Sequence, residues 1–128
     1  MRSWPSVLLG AALAAIPAEV SAGTLKTDVG GVAVELSSEP ENPGTRQATT
    51  YVVRLTQADG APLTGAKVTL RGRMADGMTV LAPLPPAAEP GIYRGRVLFT
   101  MGGQWELRLR VAGKGTPFEV PLTEHVGR

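Results

Sequence analysis

The chain predicts an all-β sandwich, and three observations carry that expectation. Apolar and polar residues alternate at period two over short runs. Sixteen glycines and eleven prolines in 128 residues supply turns between the runs. Beyond the N-terminal segment, no stretch sustains a helical period. About seven strands follow in order. Val32, Val34 and Leu36 alternate with Ala33 and Glu35 in the first. Two prolines in Glu39–Gly44 make a loop, because proline cannot serve a ladder. Tyr51, Val53 and Leu55 define the second strand, and Asp59-Gly60 and Leu63-Thr64-Gly65 are turns where glycine takes positive φ freely. Val68, Leu70 and Gly72 define the third. Met78–Leu84 is a weaker fourth, bounded by Pro83, Pro85 and Pro86. Tyr93, Gly95, Val97 and Phe99 form a fifth, Trp105, Leu107, Leu109 and Val111 a sixth, and Phe118–Leu122 the last.

The N-terminus reads as an export signal. Arg2 is followed by the apolar run Val7–Ile16, and Val20-Ser21-Ala22 places small residues where a signal peptidase cuts. A membrane anchor is the competing reading, but a spanning helix needs about 20 apolar residues, and Pro17 and Glu19 interrupt the run. Cleavage after Ala22 is expected, leaving a periplasmic domain over residues 23–128. Its formal charge stays +2, since Arg2 and Glu19 leave together. Such a balance does not suggest a nucleic-acid partner. The chain has no cysteine, so hydrophobic burial must hold it together without disulfides. That also excludes thiolate metal sites, thiol catalysis and lipoprotein anchoring.

Two details point to the immunoglobulin-like kind of sandwich. Glu89-Pro90-Gly91-Ile92-Tyr93 resembles the tyrosine corner at the entry to a penultimate strand, where the phenol ties back to upstream backbone. Antibody domains carry a cysteine two residues later, and here that position is Gly95. Trp105 lies on inward parity, where its ring fills a disulfide-free core.

Two stretches resemble the FixH/YtkA-like family. Pro62-Leu63-Thr64-Gly65-Ala66-Lys67-Val68 is similar to the family's turn into its third strand, a feature shared with many bacterial immunoglobulin-like modules. Gly91-Ile92-Tyr93 through Val97, then Phe99-Thr100-Met101-Gly102-Gly103-Gln104-Trp105-Glu106-Leu107, is closer, with its G-x-Y strand and F-x-M-x-G-x-W segment. The resemblance implies the fold, export and a non-enzymatic accessory role. Some relatives are associated with respiratory-oxidase assembly and copper handling. This chain is expected to depart from the pattern in lacking the long membrane anchor, and it has no histidine near Met74 and Met78.

Catalytic constellations are absent from the sequence. Its one histidine, His125, sits near the end, and the serines after residue 22 are Ser37 and Ser38, so no nucleophile–base pair can be assembled. Thioethers suit Cu(I), which makes Met74 and Met78 candidate ligands, with Met101 or His125 as completions. Methionine also fills irregular apolar gaps, and two thioethers make a poor site. The loops that carry these residues need not share an end of the sandwich, so no tight Cu(I) binding is expected.

Arginines recur at i, i+2 in Arg71/Arg73, Arg94/Arg96 and Arg108/Arg110, so each pair projects from one face of its strand. Read as a hairpin, residues 93–111 bring Arg94, Arg96, Arg108 and Arg110 onto adjoining outer faces. The expected register sets Phe99 opposite Gly103 and Arg96 beside Glu106, because opposed like charges cost stability. Such charges solvate a sheet surface. They also make a docking face for an acidic protein partner, or for anionic headgroups at a membrane surface.

Overall fold

The computed structural model describes residues 24–113, 115 and 117–127. The predicted signal segment, 1–22, and the cleavage boundary lie outside them. Eight strands fold in the order β1 (Thr24–Val29), β2 (Val32–Glu39), β3 (Thr49–Thr56), β4 (Lys67–Arg73), β5 (Thr79–Leu84), β6 (Ile92–Val97), β7 (Gly103–Ala112) and β8 (Phe118–Val126). They form two antiparallel four-stranded sheets, β1-β2-β3-β6 and β5-β4-β7-β8. Alternation does the local work. In β7, Trp105, Leu107, Leu109 and Val111 are buried while Glu106, Arg108 and Arg110 are exposed. The inner faces meet in one core, built from Val34, Leu36, Tyr51, Val53 and Leu55 on one sheet and Val68, Leu70, Leu84, Trp105 and Leu107 on the other.

The first strand, β1, was not expected. Leu25 and Val29 are its only large apolar residues, too few to register as a period. The signal that marks it is the turn. Gly30 and Gly31 link Val29 to its partner Val32, with φ of 59° and 90°, as a two-residue type I′ hairpin requires. At β5, Pro83 does not end the strand. It pairs with Thr69, which is tolerated because β5 is an edge strand.

The expected 93–111 hairpin does not form. β6 pairs with β3, and β7 pairs with β4 and β8, so residues 98–102 cross from one sheet to the other. The expected register does not apply: Arg96 lies opposite Thr50 and Arg108 opposite Arg71 and Pro121. The physical reason is the aromatic pair. Phe99 and Trp105 are both fully buried, with ring centroids 5.3 Å apart, and the crossing lets both rings fill the space between the sheets. The Trp105 indole N–H donates to the Met101 carbonyl at 3.0 Å and so holds the crossing in place.

Tyr93 does tie backward, although its strand is third from last. Its hydroxyl donates to the Leu63 carbonyl at 2.8 Å and accepts from the Ala66 N–H at 3.2 Å. This anchors the turn into β4. Gly95 explains how one side of the sandwich closes. A Cβ there would lie 2.5 Å from the Pro83 carbonyl oxygen and 2.5 Å from Leu84 Cδ2. Space that a cysteine would need is taken by β5, which packs on β6 through Arg94 N–H to Pro85 O (3.0 Å) and Ala87 N–H to Ile92 O (2.8 Å).

Candidate functional site

The outer face of the second sheet concentrates positive charge. β4 exposes Lys67, Arg71 and Arg73, and β7 exposes Arg108 and Arg110. The opposing carboxylates on this face are Glu106 and Glu119, so three positive charges are in excess, more than the +2 of the whole chain. The register sets Arg71 directly opposite Arg108, Arg73 opposite Glu106 and Thr69 opposite Arg110. From β8, Glu119 meets Arg108 Nη1 at 3.3 Å and Arg110 Nη1 at 3.7 Å. Among the described residues, Arg71 and Arg73 have no carboxylate within ion-pair distance. Leu81 on β5 completes the row Leu81–Arg71–Arg108–Pro121, and it is 66% exposed.

This corrects the predicted docking set. Arg94 and Arg96 project from the outer face of the first sheet, opposite Val52 and Thr50, on the far side of the sandwich from Arg108 and Arg110. That first face also carries Glu35, which lies 3.6 Å from Lys26 and 3.7 Å from Arg54. The structure brings Arg71 and Arg73 to Arg108 and Arg110 instead. Parity had placed all six arginines outward, but it carries no information about which strand lies next to which.

The methionines lie closer together than expected. The end of β4 pairs with the start of β7, Arg73 opposite Glu106, so the 74–78 loop and the 98–102 crossing share one end. His125 has a fixed position near that end, opposite Gln104 on β8. The loop is a tight turn in which Met74 N–H donates to Met78 O at 2.8 Å and Asp76 Oδ1 accepts from Met78 N–H at 3.0 Å. Met74 is half-buried against the core, its Cε 2.8 Å from where a Gly103 Cβ would sit. That packing leaves Met78 and Met101, 38% and 43% exposed, as thioethers on two separate loops. Among the described residues, no group of three or more His, Cys, Asp or Glu could hold a metal ion.

Inside the same half of the sandwich lies a polar pair that sequence reasoning missed. Tyr51 on β3 donates its phenol to Glu124 Oε1 on β8 at 2.9 Å, and both residues are buried. Burial pushes the Glu124 carboxyl above its usual range, and the bond from Tyr51 draws it partly back. Burial, then the neighbouring Glu124 charge and hydrogen bond, push the Tyr51 phenol far above its ordinary value. The readable signal was the alternation Val120, Leu122, Glu124, Val126, which puts Glu124 on inward parity once β8 is extended. At the other end of the sandwich, Val29, Val32, Leu63, Ala66 and Phe118 line a cavity of ≈ 700 Å³. No acid or base stands in its described lining.

No curated protein matches the chain. Among solved structures it is similar to one described as the crystal structure of the Lin-41 filamin domain, at 27% identity and a TM-score of 0.54. That likeness covers 68% of this chain and 83% of the other, and it bears out the immunoglobulin-like sandwich. A family model described as YtkA-like matches residues 26–110, a span that takes in both the Pro62–Val68 turn and the Gly91–Leu107 stretch, and the chain belongs to that family.

Proposed function

We propose that this protein is an exported, non-enzymatic accessory domain that docks an acidic protein partner through the outer face of the β5-β4-β7-β8 sheet. The observation that carries this reading is the direct opposition of Arg71 and Arg108. Like charges opposed across a ladder destabilise it, and a carboxylate laid between them converts that repulsion into two attractions. Arginine suits the role, because its planar fork grips a carboxylate through two parallel bonds. Exposed Leu81 beside the pair adds an apolar contact of the kind found at interface centres. Export and a periplasmic location rest on the Arg2, Val7–Ile16 and Ala22 pattern.

Titration of the purified protein with poly-L-glutamate tests the reading. Binding that weakens as salt rises, falls in Arg71→Gln/Arg108→Gln and persists in Arg94→Gln/Arg96→Gln supports it. Equal loss in both double variants, or no binding at low salt, overturns it. A parallel titration with phosphatidylglycerol vesicles separates a membrane surface from a protein partner. Vesicle binding without poly-L-glutamate binding would favour the membrane.

A further inference from the structure

We propose that the Tyr51–Glu124 pair is a pH-sensitive latch, which fastens β8 to the opposite sheet while the carboxyl is neutral and frees that strand's edge as the carboxyl ionises. The proposal stands apart from the docking reading. Glu124 also lies beyond the segment matched by the family model, which ends at residue 110.

The first support is where the bond sits. Tyr51 belongs to one sheet and Glu124 to the other, so the 2.9 Å bond spans the interior of the sandwich. On the β5–β6 side, backbone hydrogen bonds already join the two sheets. On the other side, β8 is an edge strand laddered to β7 alone, with one further backbone bond at its end, Gly127 N–H to Pro43 O at 2.9 Å. A change at Glu124 therefore acts on the strand least supported by its neighbours.

The second support is what surrounds the carboxyl. Trp105 stands opposite it on β7. Tyr51 approaches from β3, with Thr49 next on that inward face. Thr49 Oγ1 is itself buried without a hydrogen-bond partner. On β2, Ser38 stands opposite Tyr51, and its hydroxyl donates to the Pro40 carbonyl. The cations of β1, β3 and β6 (Lys26, Arg54, Arg94, Arg96) project from the outer face of their sheet, and the arginines of β4 and β7 from the outer face of the other. On β8 itself, His125 is exposed and points the opposite way. Among the described residues, Tyr51 is the one titratable group facing Glu124, and no cation faces it. A carboxyl so placed is favoured in its neutral form.

The sign follows from linkage. Folding raises the Glu124 carboxyl above its ordinary 4.5. Its stabilising contribution is therefore complete below that value and is lost as pH rises through the folded-state value. The neutral acid keeps a carbonyl oxygen to accept the Tyr51 bond. The carboxylate accepts the same bond more strongly, but its charge is buried with no cation facing it, and that larger cost favours drawing in water or leaving the core.

Thermal unfolding and amide exchange of the purified protein test this between about pH 5 and about pH 8. The melting temperature is expected to fall by several degrees across that range. Exchange in residues 118–126, corrected for its intrinsic pH dependence, should quicken more than in residues 50–56. Glu124→Gln keeps the acceptor without the charge, so its melting temperature should be flat with pH and exceed that of the native protein at the alkaline end. A flat response in the native protein, or an unchanged slope in Glu124→Gln, overturns the latch. Should that variant not fold, carboxyl-carbon NMR of the native protein decides. A Glu124 midpoint above those of the exposed glutamates supports the latch, and one within their range overturns it.

Discussion

Replacing Gly95 with alanine puts the closed side of the sandwich to the test. The new Cβ would stand 2.5 Å from the Pro83 carbonyl oxygen, 2.5 Å from Leu84 Cδ2 and 3.3 Å from Leu84 Cα. Two of these atoms are backbone, and the Leu84 side chain is itself buried in the core. Relief therefore requires β5 to move away from β6, which strains the Arg94–Pro85 and Ala87–Ile92 backbone bonds. Two effects compete. In an uncrowded strand, alanine is favoured over glycine by roughly 0.5–1 kcal/mol. Overpacking a filled site costs about 1–3 kcal/mol, and each lost hydrogen bond adds about 0.5–1.5 kcal/mol. The steric cost wins, with a net destabilisation of about 1–3 kcal/mol. For a domain of this size, each kcal/mol lowers the melting temperature by about 4–8 °C. Trp105 is fully buried, so its fluorescence reports global unfolding in heat or urea. An unchanged or raised melting temperature would refute the reasoning, because alanine would then have room and β5 would not be seated on β6.

Four further outcomes follow from single observations. Tyr93→Phe removes the hydroxyl shared by Leu63 O and Ala66 N–H, so chemical denaturation should show a loss of about 1–3 kcal/mol; no loss would mean that the turn into β4 holds itself. Arg71→Gln relieves the opposition to Arg108, and a gain of roughly 0.2–1 kcal/mol is expected. A loss in urea titrations would show that the two guanidinium groups avoid each other. Anaerobic Cu(I) titration against a competing chelator should find no tight binding and no rise in melting temperature, since a ligand specific to the native state must raise it. Tight one-to-one binding that disappears in Met78→Ala/Met101→Ala would reverse that expectation. Intact-mass analysis of periplasmic material should find a chain starting at Gly23, and recovery of uncleaved protein in membranes alone would favour an anchored domain.

What the sequence determined by itself is the set of properties that depend on near neighbours. Alternation marked seven of the eight strands, placed Trp105, Tyr93 and Phe99 inward, and turned all six paired arginines outward. Strand parity is a local property of the pleat, and two or three side chains suffice to declare it. Only the tertiary structure decided which strands lie side by side. A short connection between 97 and 103 is long enough for an in-plane hairpin and for a crossing between sheets alike. The choice falls to the total burial over both sheets, so Arg108 acquired Arg71 as a neighbour where the expected hairpin register had set it opposite Arg94. Glu124 shows the same division. Its parity was legible, but a lone glutamate near a strand end is ordinarily solvated, and it is buried here because Tyr51, 73 residues earlier, reaches across from the other sheet. Pairings of that kind are chosen by contacts between distant parts of the chain, which no local pattern of residues records.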